Sequence, residues 1–447
     1  MRARGLNIAV VGSGVAGLSA GWLLSQGNSV TLFEADGRLG GHGNTVDAYS
    51  PNGPVAVDTG FIVYNEATYP NLVALFRHLN IPTKESDMSF AVSIDNGALE
   101  YNGTNLAGLF AQPSNCLRPR FWRMLLGIRR FYREAAADLA VMGDMSLNDY
   151  LKRKGYDAAF RDDHLLPMAA AIWSTPADRI GEYPAAALVR FCQNHGLLQA
   201  RDRPAWRTVD GGSRVYIERL AREISPAIRT SAPVKSIRRT SDGVAVRTQD
   251  GDEETYDHVV LASHADQSLA ILADPTPRER RLLGAFHYGA NDAVLHTDAA
   301  LMPKRRAAWA SWNYLARSGA SRTRPCVTYW MNNLQGIPGP TPLFVTLNPD
   351  RPIREDRVSQ KFCYEHPLFD AAAMDAQKQL WSLQGDGGVW FCGAYFGSGF
   401  HEDGLQAGLA VAEQLGGARR PWTVPNESSR IWIDGAERRR PAREAAE

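Results

Sequence analysis

A glycine-rich turn near the start of the chain has the residue types and spacing that bind a dinucleotide. It reads G-x-G-x-x-G and lies between an apolar run at 7–11 and a helix-like stretch. Glycine allows the tight turn, the close approach of a pyrophosphate and close helix–strand packing. The helix start supplies N–H groups for the pyrophosphate. Glu34 ends a second apolar run, where it can accept hydrogen bonds from an adenosine ribose. The residues assigned to the turn are Gly12, Gly14, Ala16 and Gly17.

A second glycine pair downstream favours FAD over NAD, since NAD domains have no need of it. Residues 34–45 resemble the E-x-x-x-R-x-G-G-R-x-x-T motif of the flavin-containing amine oxidase superfamily. Arg38, Gly40, Gly41 and Thr45 match this motif, and His42 replaces its second arginine. The resemblance implies an α/β protein in which a Rossmann-like FAD-binding domain is interleaved with an α+β substrate domain. This is the amine oxidase or p-hydroxybenzoate hydroxylase-like fold.

The same resemblance implies three further groups of FAD-binding residues. A D-x-G segment passes beside the isoalloxazine ring, the backbone of Val234 meets the adenine, and the last helix begins against the flavin pyrimidine. A helix N-terminus there would stabilise negative charge on the reduced ring. The residues assigned to the first and third groups are Thr59, Gly60, Phe61, Ile62, Gly393, Asp403, Gly404 and Leu405.

The composition predicts a soluble globular protein of two or three domains. The chain has 447 residues, 44% hydrophobic and 22% charged, and its net charge of +1 does not favour nucleic-acid binding. Five scattered cysteines and no C-x-x-C indicate reduced thiols and no zinc site. With a first strand at about residue 7, we expect no signal peptide and a cytoplasmic protein. We assign 1–80, 205–285 and 385–416 to the FAD-binding domain, 81–204 and 286–384 to the substrate domain, and 417–447 to a poorly ordered tail.

Two departures from the superfamily bear on the substrate. Amine oxidases carry a lysine on a second-domain strand that holds a water against flavin N5, and residues 289–294 contain none. They also place a tyrosine of an aromatic cage before the last helix, where this chain has His401. Both departures disfavour amine oxidation and favour another C–H substrate.

A narrower resemblance implies a substrate class. The segments 58–65, 88–90, 194–198 and 399–404 resemble bacterial FAD proteins that accompany cyclopropane-fatty-acid-synthase-like methyltransferases. A member of that group desaturates methylated fatty acyl chains in furan fatty acid synthesis. We therefore expect an FAD-dependent oxidoreductase acting on a fatty acyl or phospholipid substrate, with such a methyltransferase as a candidate partner. An amine oxidase and a flavin-bearing accessory protein remain alternatives.

Three residues are candidates for catalysis, each with a structural alternative. His401, at the start of the flavin-facing helix, is either a base or a hydrogen-bond donor at the helix start. Tyr395 either lines the flavin ring or packs in the core, and His195 is either a base or a structural histidine. The residues expected to line the substrate cavity are Phe90, Trp173, Trp312, Tyr314, Trp330 and Met331.

A basic helix is predicted over residues 117–140. Trp122 and Leu126 lie among arginines 123, 129, 130 and 133, away from an apolar stripe of Phe121, Leu125, Ile128, Tyr132, Ala135 and Leu139. A basic face that carries Trp and Leu suits an anionic membrane surface. The alternative is a surface helix that packs on a neighbour, so peripheral binding to the inner membrane face stays open beside a purely cytoplasmic location.

Overall fold

The centre of the fold is a five-stranded parallel sheet. The computed structural model describes residues 5–194, 197–198, 204–224, 227–317 and 324–433. The strands of the sheet are, in spatial order, Ile228–Arg229, Ser29–Phe33, Asn7–Val11, His258–Leu261 and Val389–Phe391. All four neighbouring pairs are parallel. Because both faces are covered, the strands read as short apolar runs rather than as alternating patterns.

Two helices that pack closely bring their N-termini to one edge of this sheet. Val15–Leu24 follows the first strand, and His401–Leu415 follows the last one. A Cβ atom on Gly408 would lie 2.2 Å from the carbonyl oxygen of Ala16, and one on Gly404 would lie 3.0 Å from Cγ1 of Val15. The helices approach this closely only because glycine occupies both positions.

Smaller antiparallel elements surround the central sheet. Val234–Thr240, Gly243–Thr248 and Glu253–Tyr256 form a three-stranded meander. Thr45–Ala48 pairs with Val55–Asp58. Trp206–Val209 lies between Tyr64–Asn65 and Thr83–Ser86. The meander contains both predicted strands of the 233–247 region.

A seven-stranded sheet forms the floor of the substrate domain. In spatial order its strands are Val358–Leu368, His287–His296, Phe344–Leu347, Cys326–Trp330, Trp312–Ala316, Phe90–Ile94 and Leu99–Asn102. The segment 358–368 was not predicted as a strand, because its apolar residues do not alternate with polar ones and Pro367 lies within it. A 3₁₀ turn at Arg306–Ala308 precedes the strand that begins at Trp312.

Helices cover the other face of the substrate domain. The longest, Pro119–Met142, confirms the predicted helix, but its buried face is centred on Met124, Gly127 and Phe131. The reason is Gly127, where a Cβ atom would lie 2.4 Å from Cβ of Phe160, so a second helix packs at that point. Pro167 was expected to interrupt the helical region, but the helix continues through it after a π turn.

The remaining helices are short. The α-helices are Pro70–His78, Leu106–Leu109, Leu147–Arg153, Ala158–Phe160, Leu166–Trp173, Ala177–Ile180, Ala185–Asn194, Arg214–Ile224, Ala265–Ile271, Pro277–Leu283, Met331–Leu334 and Ala371–Leu380. Single turns lie at Pro113–Leu117, Arg161–Leu165, Ala299–Leu301, Arg306–Ala308, Glu355–Arg357, Trp381–Leu383, Asp386–Gly388 and Ala394–Phe396. Within the described ranges, no helix combines the length and the apolar character that a membrane crossing needs.

The expectation of a poorly ordered tail is wrong for residues 417–433. Arg420 and Ile431 are buried, and the indole of Trp422 stacks on that of Trp22 with 5.8 Å between ring centroids. Arg430 forms an ion pair with the buried Asp403 at 2.7 Å. Apolar and aromatic side chains in this arginine-rich stretch therefore fasten it to the FAD-binding domain. Residues 434–447 lie outside the described part of the chain.

Candidate active site

The glycine-rich turn leaves room for a ligand in front of the first helix. Gly12 has φ of +102°, and a Cβ atom there would lie 2.9 Å from the carbonyl oxygen of Ala262. No atom lies within 4 Å of the Cβ position of Gly14. No side chain caps the helix that starts at Val15. Its first N–H groups are therefore available to an anionic pyrophosphate.

The predicted ribose acceptor is held beside this turn. The carboxylate of Glu34 accepts hydrogen bonds from the backbone N–H of Ser13 at 2.9 Å and of Asp36 at 2.9 Å. The second glycine pair packs on the turn, because a Cβ atom on Gly41 would lie 3.2 Å from Cα of Gly14. Arg38 donates to the carbonyl oxygen of Gly41 at 2.9 Å and so holds this loop.

Two antiparallel segments carry the residues predicted to pass beside the flavin. The N–H groups of Thr59 and Phe61 donate to the carbonyl oxygens of Asn44 and His42, at 2.9 Å and 2.7 Å. A Cβ atom on Gly60 would lie 2.2 Å from the same oxygen of His42, so the pairing requires glycine. Ile62 is buried behind them, and Val234 begins the first strand of the meander.

The last helix begins where the sequence predicts it, with its first turn held by an acidic residue. The carboxylate of Asp403 accepts from the N–H groups of Ser398 at 3.0 Å and Phe400 at 2.8 Å. Arg430 contacts the other carboxylate oxygen. Asp403 is thus occupied by protein groups, whereas Gly404 and Leu405 are buried against the first helix. Gly393 precedes the final turn, where Tyr395 packs over it.

His401 is held between two aromatic rings at the start of this helix. Its imidazole stacks on Phe61 with 3.7 Å between centroids and 9° between planes. Its Nε2 lies 2.8 Å from the hydroxyl of Tyr216. Burial lowers the pKa of His401 to about 3, so the ring is neutral at physiological pH. The catalytic assignment of His401 stays a prediction.

Of the other two catalytic candidates, the structure describes only Tyr395. Tyr395 is buried among Phe286 and Phe396, and its hydroxyl has no partner in the described part of the chain. Burial raises its pKa well above the usual value. The environment is that of a core residue, which was the structural alternative. His195 lies outside the described residues.

A polar cluster that the sequence did not single out lies between the two domains. The hydroxyl of Tyr364 accepts from Nδ2 of Asn44 at 2.8 Å and lies 2.7 Å from Oγ1 of Thr59. The ring of His42 lies 5.2 Å from that of Tyr364 and 5.3 Å from that of His366. Tyr364 and His366 come from the strand that the sequence did not predict, so no local signal could have placed them here.

An acidic residue of the same region has a structural role. Asp58 is buried and accepts from Oγ1 of Thr45 at 2.5 Å, from the N–H of Ser213 at 2.9 Å and from Nε2 of Gln335 at 2.8 Å. Burial outweighs these bonds and raises the pKa of Asp58 to about 6. Its carboxylate links the segment beside the flavin to the helix at 214–224.

These features fit FAD. The open space before Gly14, the uncapped first helix and Glu34 suit the pyrophosphate and the ribose. Nε2 of His42 is buried with no hydrogen-bond partner in the described ranges, as expected of a group that faces a ligand. The protein would hold the adenine half with the parallel sheet and the ring between segment 42–61 and the last helix.

Comparisons with known proteins agree with this geometry. A protein of Mycobacterium tuberculosis named "Putative flavin-containing monoamine oxidase" is 27% identical over 60% of this chain, and the match spans 59% of that protein's length. The solved structure of putrescine oxidase with putrescine has a TM-score of 0.65 at 16% identity, covering 92% of this chain and 98% of the other.

Two further solved structures share the fold. Cyclohexylamine oxidase of Brevibacterium oxydans has a TM-score of 0.64 at 16% identity, covering 92% and 99% of the chains. A fatty acid isomerase from P. acnes has a TM-score of 0.64 at 15% identity, covering 92% and 98%. These likenesses confirm the α/β fold class.

The family assignment rests on the sequence. The model of the family described as flavin containing amine oxidoreductase matches residues 15–362, more than half of the chain. This match confirms the predicted FAD cofactor and the predicted class of FAD-dependent oxidoreductase. The chain belongs to the flavin-containing amine oxidoreductase family.

Proposed function

We propose that this protein desaturates a methyl-branched fatty acyl chain. The observation that carries the proposal is the absence of amine-binding groups at the two expected positions. The strand His287–His296 presents Asn291 and no lysine, and the residue that starts the last helix is His401, stacked on Phe61. The groups that surround this point are neutral imidazoles and aromatic rings, which suit an uncharged reacting carbon.

An aromatic wall beside His401 suits an acyl chain. The ring of Phe400 lies 5.0 Å from that of Phe191, which lies 4.9 Å from that of Trp173. Phe400 and Trp173 pack against the same apolar core as Trp312 and Phe90. A site for a long apolar substrate needs such a lining with few polar groups.

One residue expected in this lining lies elsewhere. Trp330 points to the opposite face of the sheet, where it contacts Trp309 at 5.5 Å and the guanidinium of Arg306 at 4.6 Å. The reason is the two-residue alternation of a strand: Tyr329 pairs with Trp312 on the face toward the helices. Tyr329 therefore replaces Trp330 in the proposed lining.

In the proposed reaction the hydride acceptor is the cofactor, and the proton acceptor is a protein side chain. Bound FAD supplies a hydride acceptor. A methyl-substituted double bond weakens the adjacent allylic C–H bond, and the chain's part is to orient that carbon and to receive a proton from its neighbour. His401, positioned by Phe61 and Tyr216, or a water that it holds, is our candidate for that acceptor. The fatty acid isomerase shows that this architecture occurs in an enzyme of fatty acids, though fold alone does not assign a function.

Amine oxidation is the alternative function, and the names of the relatives favour it. The two are separated by mixing the oxidised holoprotein anaerobically with a methylated unsaturated acyl lipid or with amines. The proposal predicts bleaching of the flavin by the lipid only. If polyamines or monoamines bleach the flavin and the lipid never does, the desaturase proposal is wrong and amine oxidation replaces it.

Two further experiments test the substrate and the base. Cells that also make a cyclopropane-synthase-like methyltransferase, our proposed partner, should accumulate methylated acyl chains when this protein is absent and convert them when it is present. His401→Ala should retain FAD and lose most of the bleaching by the lipid. Bleaching of that variant at the wild-type rate would remove His401 from the chemistry.

We also propose that the face around Leu117 and Leu126 docks on an anionic bilayer, where the acyl substrate is found. These side chains are 86% and 63% exposed, and Trp122 lies between them in sequence, 47% exposed. Fewer arginines are available to lipid phosphates than the sequence suggested, because those at 130 and 133 pair with Glu134. Arg129 has no acidic partner within the described ranges.

Liposome sedimentation tests this docking surface. Vesicles with anionic lipid should bind the protein in a salt-sensitive way, and neutral vesicles should bind it weakly. Leu117→Gln with Leu126→Gln should reduce binding without changing flavin content, and so should replacing arginines 123, 129, 130 and 133 with Gln. Equal binding to both kinds of vesicle would contradict the proposal.

A further inference from the structure

Three histidines from separate parts of the chain meet beside the segment that passes the flavin. His42 lies 5.3 Å from His366 and 6.3 Å from His264, measured between ring centroids. They are not arranged to bind a metal, since no group of three or more potential ligands in the described part of the chain is. His366 belongs to the edge strand Val358–Leu368, which pairs with His287–His296, and His42 belongs to the segment 42–61.

A chain of amides fixes the orientation of Asn291 beside this cluster. The carboxamide nitrogen of Asn291 donates to the carbonyl oxygen of Gly289 at 2.9 Å, and its oxygen accepts from Nδ2 of Asn348 at 2.8 Å. The oxygen of Asn348 accepts in turn from the N–H of Asp292 at 3.1 Å. A backbone carbonyl only accepts and a backbone N–H only donates, so neither amide can be reversed without losing a bond.

This orientation determines which nitrogen of His366 carries hydrogen. The second N–H of the Asn291 amide points to Nδ1 of His366 at 3.3 Å. Nδ1 must therefore accept, and the neutral ring carries its hydrogen on Nε2. Nε2 has no hydrogen-bond partner within the described ranges. Nε2 of His366 is not one of the buried atoms that lack a partner, so it is open to an acceptor supplied by a ligand.

We propose that Asn291 and Asn348 fix His366 as the Nε2–H tautomer, so that this imidazole donates a hydrogen bond to a neutral acceptor in the FAD cleft. The acceptor is a carbonyl oxygen or ring nitrogen, from the flavin or from the acyl substrate. His366 is the residue in contact with that acceptor, and Asn291 is a positioning residue. The inference rests on the family's cofactor and deepens the proposed function, because it supplies a donor on the strand pair that lacks the lysine.

The electrostatic surroundings keep His366 neutral. Burial lowers the pKa of His366 to about 4, and His264 adds to this effect. Burial likewise lowers the pKa of His42 well below its usual value, with Arg38 and His401 nearby. Glu365 and Asp266 raise the pKa of His264, but burial lowers it by more, so this pKa stays below its usual value. Because Nδ1 of the neutral His366 ring already accepts from Asn291, the ring can donate through Nε2.

The tautomer is measured directly by long-range ¹H–¹⁵N correlation on the holoprotein labelled with ¹⁵N-histidine, with His366→Gln identifying the signals. We expect the neutral Nε2–H form from pH 6 to 8. Asn291→Asp places an acceptor beside Nδ1, so the ring should become protonated on Nδ1. Asn332→Asp, the same change at an amide of the short helix Met331–Leu334 that donates to Ile337 and Thr341, should leave the signals unchanged. A wild-type ring that carries hydrogen on Nδ1 would overturn the proposal, even if the Asn291 variant does not fold.

Two measurements on His366→Phe identify the source of the acceptor. If the flavin provides the acceptor, the variant favours reduced over oxidised flavin about tenfold less than wild type does. The midpoint potential then falls by about 30 mV. If the substrate provides it, the potential is unchanged and the Kd for the acyl lipid rises about tenfold. If neither quantity changes, His366 donates to no ligand and the proposal is wrong. If the protein does not desaturate acyl chains, the tautomer and the midpoint potential still test the inference, because neither measurement uses the acyl substrate.

Discussion

The ion pair between Arg430 and Asp403 leads to a prediction whose size follows from burial. Arg430 is 13% exposed and Asp403 is 0% exposed, and their closest atoms are 2.7 Å apart. Asp403 also holds the first turn of the last helix, His401–Leu415. Arg430→Met leaves a buried carboxylate without its counter-charge, which costs about 3–5 kcal/mol. Unfolding in urea, followed by FAD fluorescence, should detect this loss as earlier release of the flavin.

The pH dependence and two controls make this prediction specific. Burial raises the pKa of Asp403, and Arg430 opposes the rise. Without Arg430 the pKa of Asp403 in the folded state lies higher still, so folding favours the protonated carboxyl. The stability of the variant therefore falls as pH rises through that pKa. Arg430→Met should therefore be more damaging at pH 8 than at pH 5.

The first control is Arg419→Met, at an exposed ion pair, which should cost no more than about 1 kcal/mol. The second is Asp403→Asn combined with Arg430→Met, which should recover much of the loss, since both charges are gone. Equal effects of the Arg430 and Arg419 changes would refute the reasoning.

Three other variants test the FAD-binding domain. Glu34→Ala should weaken FAD binding by about 1.5–3 kcal/mol, measured by titration of the apoprotein, and unchanged affinity would count against the ribose assignment. Gly408→Ala should separate the two helices and lower flavin retention, whereas Gly27→Ala, with no atom within 4 Å of the Cβ position, should not. Burial raises the pKa of Asp58 to about 6, so the folded protein favours the protonated carboxyl. The stability that this preference contributes is lost as pH rises through about 6. Wild type should lose about 1.4 kcal/mol relative to Asp58→Asn between pH 5 and 7.5, and parallel stability curves would contradict this.

The sequence predicted the FAD cofactor because the requirements of its binding motif are local. Gly12 needs a positive φ, Gly60 lies against a carbonyl oxygen, and Glu34 ends a strand, so each requirement shows in the residue type and its neighbours. The predicted helices and most strands were found for the same reason, since apolar spacing reports which face is buried.

The polar half of the site could not be predicted in this way. Tyr364 and His366 reach Asn44 and His42 through pairing of strands more than 60 residues apart, and nothing in their own segment records that contact. For Tyr395 the sequence left flavin lining and core packing open, because proximity to the glycine turn does not reveal which way the side chain points. The tail at 417–433 was predicted to be poorly ordered because it is rich in Arg, Pro and Glu, whereas Arg420 is buried, Arg430 is 13% exposed, and both have carboxylate partners.

The most direct test of the account is the anaerobic reductive half-reaction of the purified holoprotein. Oxidised enzyme is mixed in a stopped-flow instrument with a methylated unsaturated acyl phospholipid, the unmethylated lipid, putrescine or a monoamine, and flavin absorbance is followed. The account predicts rapid bleaching by the methylated lipid, little by the unmethylated lipid and none by either amine. Bleaching by an amine, with no response to the methylated lipid, would contradict it.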